Sequence, residues 1–330
     1  MERTSDIIGH ARQREQLLHD LSSGNIAHAY LFAGPPHIGK ATIARWFGGE
    51  ILTRGLRGTE KATALTQIDK LLHPDFLSLD KLWIEDISED MDAIAKSTNI
   101  PQEHRRKGDS VMRTDTIGID DVRVLQEKLY ETGLGSHRCC FIRSIERLQD
   151  EAANALLKIL EEPPPGRVFL CTTEHTGQIM PTVVSRMRVV HMRRLPEAEL
   201  LPLLREANDD DRRFLLHVSQ GAPGTLLSLR DDPDLLRKER LIHGRALQFW
   251  SAMQPLERFK ALEPVHERSP EADLFLLHLA LALRESTGAG KADLERALSG
   301  LMRDLETNVH RQLAAQKFAL EVDALALSKA

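Results

Sequence analysis

Short apolar runs alternate with segments of helical periodicity over the part of the chain that precedes residue 195. Runs that are apolar at nearly every position are typical of strands covered on both faces, so they predict buried strands of a parallel sheet. The five predicted strands span residues 29–33, 76–80, 139–145, 168–173 and 187–192. Helices are predicted over residues 11–22, 41–54, 119–130 and 150–161. Strands and helices in alternation indicate an α/β fold.

After residue 195 the pattern changes to leucine-rich, charged helical segments, and we expect this part to be entirely helical. Turn signals at 221–224 and 231–233 divide it into a small helical unit over 196–240 and a larger bundle over 241–330. The polar stretch 84–116 fits neither half and carries the basic run His104-Arg105-Arg106-Lys107. We expect an exposed excursion whose basic run is either solvated surface or a contact for DNA or a protein partner.

Composition narrows the class of protein. Lys and Arg number 44 against 49 Asp and Glu, a formal charge of -5, which argues against a surface that is basic throughout and attracts nucleic acid. Cys139, Cys140 and Cys171 lie in apolar runs without a Cys-x-x-Cys pair, so we expect buried thiols, no disulfide framework and no metal site.

The apolar stretch 274–283 is too short to span a bilayer and predicts a buried helix. The amino-terminal segment lacks a signal-peptide core, so we expect a cytoplasmic protein without membrane contact.

The strongest local signal is Gly34-Pro35-Pro36-His37-Ile38-Gly39-Lys40, which follows a predicted strand and opens a predicted helix. A phosphate-binding loop requires this context, because glycines let backbone N–H groups turn inward and the helix presents its positive end. The alternative is a tight turn without a ligand, but strand, loop, lysine and helix together favour a nucleotide site. The predicted nucleotide-binding residues are Gly34, Gly39, Lys40 and Thr42.

Residues that hydrolysis needs are replaced. The position after the loop lysine, where a Ser or Thr hydroxyl would hold Mg²⁺, is Ala41, and Thr42 is rotated by about 100° around the helix. The third predicted strand runs into Arg143-Ser144 where a metal-holding carboxylate is expected, and Glu146 comes later, on the following turn. Without these groups the main electrostatic stabilisation of phosphoryl transfer is missing. We therefore predict a degenerate site that requires no cofactor and does not hydrolyse ATP; whether ATP or ADP binds there stays open.

Four further stretches carry a family resemblance. They are Ile-Gly-His at 8–10, His-Ala-Tyr-Leu-Phe-Ala-Gly at 28–34, Asn-Ala-Leu-Leu-Lys-Ile-Leu-Glu-Glu-Pro-Pro at 154–164 and Pro-Thr-Val-Val-Ser-Arg at 181–186. With them the chain resembles the clamp-loader subunits of bacterial DNA polymerase III, in the AAA+ class. His-Pro-Asp at 73–75 and Ile-Asp-Asp-Val-Arg at 119–123 are similar to the delta-prime branch of that family. The matches extend over about residues 8–195.

The resemblance implies an AAA+ P-loop domain with a parallel five-stranded sheet over 1–195, a helical lid over 196–240 and an all-α collar over 241–330. It also implies that Ser185-Arg186 occupies the Ser-Arg-Cys motif, with Met187 in place of cysteine, and that Arg186 is an arginine finger for a neighbour's ATP site. Thr172 or Thr173 would occupy the sensor position, and Thr225 replaces the arginine of the second sensor. The implied partners are the tau/gamma and delta subunits and, through them, the sliding clamp and primed DNA.

Three functions compete. The first is a non-hydrolysing subunit that joins a ring of AAA+ subunits in the polymerase III holoenzyme and provides Arg186 to a neighbour. This function is favoured because the arginine-finger motif is present, while the residues that hydrolysis needs at the chain's own site are replaced. The second is an ATP-hydrolysing tau/gamma-like motor whose metal is held by Thr42 and Glu146. The third, a DNA-binding AAA+ regulator, is disfavoured because the last part of the chain shows no basic recognition helix.

Overall fold

The computed structural model describes residues 7–79, 116–131, 133–285, 290–307 and 309–327. The predicted excursion and its basic run lie outside the described residues, except for position 116. Contacts divide the chain into two compact units. One comprises Met1–Arg205 with Gly221–Gly224, and the other comprises Glu206–Gln220 with Thr225–Ala330.

A parallel sheet of five strands forms the centre of the first unit, as predicted. In chain order the strands are β1 (Ala29–Ala33), β2 (Phe76–Leu79), β3 (Arg138–Ile142), β4 (Arg167–Thr173) and β5 (Arg188–His191). Their spatial order is β2-β3-β4-β1-β5, with every pairing parallel. β1 therefore lies between β4 and β5, and all five of its residues are buried. An apolar strand in this position is covered on both faces, which explains its continuous hydrophobic run.

Two strands end earlier than the sequence predicts. β3 stops at Ile142 rather than at 145, because Ser144 adopts a left-handed backbone with φ 54° and residues 145–147 form a 3₁₀ turn. This conformation cannot continue a strand. β5 is one residue shorter than predicted at each end. β2, predicted over 76–80, ends at Leu79, the last described residue of that range.

Helices cover both faces of the sheet. They are α1 (Ala11–Ser23), α2 (Lys40–Leu52), α3 (Gly58–Asp69), α4 (Ile119–Tyr130), α5 (Asp150–Glu161) and the short α6 (Pro181–Val184) and α7 (Glu197–Leu200). Because successive strand residues point to opposite faces, Leu31 packs into the core beneath α4 and α5, while Tyr30 and Phe32 pack into the core beneath α1 and α2. The predicted helices are confirmed, but α3 was not predicted, because it begins at Gly58 and buries only Ala64 and Ile68.

The described chain after residue 205 contains helices and turns but no strand, as predicted. Its helices are α8 (Asp209–Ser219), α9 (Pro223–Asp231), α10 (Pro233–Ser251), α11 (Pro255–Ala261), α12 (Pro270–Glu285), α13 (Lys291–Glu306) and α14 (Arg311–Leu327). The second unit has its own core, in which Phe249 and Phe318 stack with ring centroids 5.3 Å apart. The stretch 274–283 is a largely buried part of α12. α10 runs continuously through residue 240, and the three-domain division stays a prediction.

Within the described ranges, no helix combines the length and the hydropathy that crossing a membrane requires. The three cysteines are free and fully buried, and burial raises the pKa of each thiol. These thiols are therefore protonated and inert at neutral pH. This agrees with the expectation from their apolar surroundings in the sequence.

A buried ion pair joins the start of β2 to the start of β3. The Asp75 carboxylate accepts hydrogen bonds from the Arg138 guanidinium and from the backbone N–H groups of Leu134 and Gly135, at 2.9 to 3.2 Å. The side chains of Asp75 and Arg138 are only 2% and 3% exposed. Each charge is therefore compensated by several partners, which a buried ion pair requires if it is to be tolerated. The His-Pro-Asp motif thus has a structural role at this edge of the sheet.

We predict that Asp75→Ala destabilises the first unit by about 3 to 5 kcal/mol, because it leaves the Arg138 charge buried without its partner and removes the acceptor of two backbone N–H groups. Hydrogen exchange at the amides of β2 and β3, followed as a function of urea, measures this loss. The control is Asp120→Ala, which breaks an exposed pair with Arg123 and should cost about 1 kcal/mol or less. Equal effects of the two substitutions would contradict the assignment.

Candidate functional site

The phosphate-binding loop follows β1 and leads into α2, as the sequence predicts. Gly34 and Gly39 have φ values of 156° and 93°, a region that favours glycine. A Cβ atom on Gly34 would lie 2.3 Å from the carbonyl oxygen of Met192, so no larger residue fits there. The N–H of Gly34 donates to the carbonyl of Thr173 at 3.2 Å, which ties the loop to the end of β4. The loop is thus held by both neighbours of its own strand.

Lys40 is directed back onto the loop. Its Nζ donates to the carbonyl oxygens of Gly34 and Pro35, at 2.8 and 2.6 Å, and lies 3.9 Å from Oε1 of Glu174. Burial lowers the pKa of Lys40, while the negative charges of Glu174 and Glu146 oppose this effect. An incoming phosphate must therefore replace two carbonyl contacts to gain the lysine.

The recipient side of the site has the predicted replacements. Ala41 packs against the apolar core beneath α2, and Thr42 is exposed on the helix surface. β3 leads into Arg143 rather than a carboxylate, and Glu146 lies on the 3₁₀ turn beyond it. Oε1 of Glu146 accepts the backbone N–H of Glu174 at 3.2 Å. Glu146 therefore serves the loop after β4 in this structure.

The two threonines at the end of β4 are both buried. Oγ1 of Thr172 accepts the N–H of Ser144 at 3.0 Å, and Oγ1 of Thr173 accepts the N–H of His175 at 3.1 Å. These bonds satisfy backbone groups at the ends of β3 and β4. They give both hydroxyls a local structural role, beside which a sensor role stays a prediction.

Sequence reasoning missed Glu174, which approaches Lys40 and lines a cleft beside the loop. The cleft measures about 250 Å³, and its lining includes Gly34, Glu174, His191 and Arg193. All four residues follow or end a strand at the carboxyl edge of the sheet. Ligands of parallel α/β sheets bind at this edge, so the strand ends themselves are the signal that could have identified the cleft.

The Ile-Gly-His motif supports the loop. His10 has a left-handed backbone with φ 55°, and its buried Nε2 donates to the carbonyl oxygen of Ile38 at 3.0 Å. Burial lowers the pKa of His10, although the Ile38 contact and the charge of Glu199 oppose this effect. A motif near the start of the chain thus orients a carbonyl of the phosphate loop.

Arg186 lies at the surface and pairs with the Asn-Ala-Leu-Leu motif. Its Nη2 donates to Oε1 of Glu161 at 2.8 Å, and its Nη1 donates to the carbonyl oxygen of Thr182 at 2.9 Å. The Ser185 hydroxyl donates to the same carbonyl at 3.0 Å. The side chains of Arg186 and Glu161 are 35% and 46% exposed. Two motifs that are separate in the sequence therefore meet at one ion pair.

Arg186 and the phosphate loop lie at opposite ends of the strands of the sheet. β5 runs parallel to β1 with Arg188 beside Tyr30, so Arg186, which precedes β5, is level with the residues that precede β1. Gly34 follows β1 at its other end. At roughly 3.3 Å per residue, the two backbones are separated by about 20 Å. Arg186 therefore cannot contact a phosphate bound in its own loop.

The parallel sheet, its order and the loop after β1 define a P-loop protein with the AAA+ fold. A solved structure of a DNA polymerase III gamma subunit-related protein from Thermotoga maritima shares this fold, with a TM-score of 0.50 and 18% identity. The superposition covers 94% of this chain and 99% of that one. A family model described as DNA polymerase III, delta subunit, matches residues 9–196, more than half of the chain. The chain belongs to this family.

Two curated relatives agree with this assignment. Over 183 residues the chain is 32% identical to DNA polymerase III subunit delta' of Escherichia coli K12, and the aligned part covers 54% of each chain. Over 239 residues it is 27% identical to DNA polymerase III subunit gamma/tau of Mycobacterium bovis, which covers 69% of this chain and 36% of the relative. The chain thus spans about half the length of the first relative and about a third of the second.

We predict that acid destabilises the first unit partly through His10. Its pKa is lowered in the folded state. As pH falls through about 6.5, His10 therefore takes up a proton more readily in the unfolded chain than in the folded one. Stability is therefore lost below this pH. His10→Asn keeps an N–H donor and a left-handed backbone preference but does not titrate, so it should reduce the loss in urea unfolding between neutral pH and pH ~5. Exposed His19→Asn is the control, and an unchanged pH slope in His10→Asn would contradict the prediction.

Proposed function

We propose that this chain is a non-hydrolysing, delta-prime-like subunit of a bacterial DNA polymerase III clamp loader, and that Arg186 acts in the ATP site of a neighbouring subunit. The observation that carries the proposal is the separation of Arg186 from its own phosphate loop. A guanidinium at the amino edge of the sheet serves only a phosphate that another molecule brings to it. We take the neighbour to be an ATP-hydrolysing subunit of the tau/gamma type, a choice supported by the similarity of the chain to subunits of DNA polymerase III.

The surface ion pair suits a residue that must change partners. An exposed Arg–carboxylate pair contributes about 0.2 to 1 kcal/mol, so releasing Arg186 from Glu161 costs little. Arginine fingers accelerate phosphoryl transfer by about 10³ to 10⁵, which corresponds to about 4 to 7 kcal/mol of transition-state stabilisation. The gain in the neighbour's site therefore exceeds the cost of leaving Glu161. The Thr182 carbonyl, which accepts from both Ser185 and Arg186, positions the arginine at the end of α6.

The chain's own loop supports a binding role without turnover. Ala41 offers no hydroxyl for Mg²⁺, β3 ends without a carboxylate, and Lys40 already bonds two loop carbonyls. ATP or ADP at this site would therefore stabilise the subunit rather than drive the loading cycle. Delta and tau/gamma subunits are the proposed direct partners, and the sliding clamp and primed DNA are contacted through the complex.

A tau/gamma-like motor is the competing function, because the gamma/tau match extends over more of this chain than the delta' match. In that case Thr42 and Glu146 would hold the metal after a local rearrangement. The geometry disfavours this, since Thr42 is exposed on the surface of α2 and Glu146 lies beyond β3, with Oε1 bonded to the backbone N–H of Glu174.

We predict that Arg186→Ala lowers the ATP turnover of the reconstituted clamp loader by about 10³-fold or more at the site it serves, while the complex still assembles. Single-turnover hydrolysis and size-exclusion chromatography measure the two effects. Glu161→Gln frees the guanidinium without removing it and should retain turnover. Arg205→Ala removes another exposed arginine of the first unit and is the matched control. Unchanged turnover in Arg186→Ala would show that Arg186 is structural.

We predict that the isolated chain with Mg-ATP and primed DNA hydrolyses ATP no faster than background, because the metal-holding groups are replaced. A phosphate-release assay with the wild type and with Lys40→Ala tests this. Turnover by the wild type that disappears in Lys40→Ala would favour the motor function instead.

A further inference from the structure

Three metal-binding side chains meet in the second unit and have no role in the site described above. His217 comes from the last turns of α8, His243 from the middle of α10, and Glu285 from the end of α12. Each offers one ligand atom, and these three atoms lie within 4.8 Å of one another. Nε2 of His217 is 2.9 Å and Nε2 of His243 is 3.6 Å from Oε1 of Glu285. The residues are far apart in the sequence, and the expectation of no metal site rested on cysteine spacing.

A buried chain of contacts determines which nitrogen of His243 is available. His278 is fully buried, and its Nε2 bonds Oε2 of Glu239. A carboxylate only accepts, so Nε2 of His278 carries a proton, and Nδ1 of His278 lies 3.2 Å from Nδ1 of His243, which is the donor when the His278 ring is neutral. Nε2 of His243 is then left with a lone pair that faces Glu285. Its distance of 3.6 Å from the carboxylate oxygen is too long for a hydrogen bond.

His217 provides an independent observation. Its Nε2 is closed off from solvent and makes no hydrogen bond of acceptable geometry, although the carboxylate oxygen of Glu285 is 2.9 Å away. The two atoms are close enough for an ion pair, but the contact does not have the geometry of a hydrogen bond. A buried polar atom without a partner costs about 1 to 3 kcal/mol, so a ligand for it is expected. Two imidazole nitrogens and one carboxylate oxygen therefore lie within 4.8 Å of one another, close enough for one cation to contact all three.

We propose that His217, His243 and Glu285 bind a divalent transition-metal ion, best fitted by Zn²⁺. Two imidazoles and one glutamate form a known zinc ligand set, with Zn–N and Zn–O distances of about 2.0 to 2.2 Å. Tetrahedral ligation at these distances requires ligand atoms about 3.4 Å apart. The observed 2.9 and 3.6 Å to Oε1 of Glu285 lie on either side of this value, and the two imidazole nitrogens lie within 4.8 Å of each other. Glu285 is partly exposed, which leaves space for a water molecule as a fourth ligand.

His278 and Glu239 are positioning residues for this site. Metal-bound histidines commonly donate their other ring nitrogen to a further group, which orients the ring and raises its basicity. Here His243 bonds His278, which bonds Glu239, and all of these groups lie within the second unit. Burial and the neighbouring imidazoles His278 and His217 lower the pKa of His243, although Glu285 opposes them. The ion would join α8, α10 and α12 and so stabilise the helical unit.

The experiment uses the full chain, stripped with a chelator and titrated with Zn²⁺ alone by calorimetry and with Co²⁺ by visible absorption. We expect one equivalent to bind and the thermal unfolding temperature to rise. Glu285→Gln and His217→Ala should each weaken Zn²⁺ binding by more than about 100-fold, and Glu239→Gln by about 10- to 100-fold, because it acts through His278. Glu271→Gln, on an exposed carboxylate of the same helix, and His310→Ala, on an exposed imidazole, are the matched controls and should bind as the wild type does.

Circular dichroism establishes that each variant is folded before its affinity is compared. Absence of Zn²⁺ binding by the wild type would overturn the proposal. Binding that survives in both Glu285→Gln and His217→Ala would overturn it too, because the ion would then lie elsewhere. A Co²⁺ spectrum with the intense bands of a low-coordinate site would support it if these bands are lost in Glu285→Gln and His217→Ala and kept in the two control variants.

Discussion

The parallel pairing of β1 with β4 and β5 is the constraint on which the rest of the structure depends. Backbone hydrogen bonds along β1 require the chain to leave the sheet at its carboxyl edge, where Gly34 meets the ends of β4 and β5. The same pairing requires the segment before β5 to lie at the amino edge. A five-residue strand thus determines that the phosphate loop and Arg186 face different surroundings.

This separation gives the molecule two unequal surfaces. At the carboxyl edge, Lys40 is bound to carbonyl oxygens and the groups that would hold a metal are replaced. At the amino edge, an arginine with a weak, exposed partner is available to another molecule. The energy of an exposed ion pair is small beside that of a guanidinium at a developing phosphoryl charge. These two surfaces are the basis of the proposed function, in which the subunit contributes to catalysis through its neighbour.

Local patterns were sufficient for much of the fold. The apolar runs located all five strands, and the strand-loop-helix order located the phosphate loop, because strand burial and helix amphipathicity repeat along the sequence. The Ser144 turn shortened β3 through a single left-handed backbone that hydrophobicity does not report. Contacts between distant residues were missed, as with Arg186 and Glu161 or His217, His243 and Glu285, because packing alone brings them together. The weakly amphipathic α3 was missed for the opposite reason, since its local pattern is faint.

The proposed role of Arg186 is tested most directly by the structure of the assembled clamp loader with a transition-state analogue of ATP hydrolysis in the neighbouring subunit. We expect the Arg186 guanidinium to leave Glu161 and to lie about 2.7 to 2.9 Å from an oxygen of the phosphoryl analogue. An Arg186 that keeps its bond to Glu161, with another residue of the complex at that phosphoryl group, would contradict it.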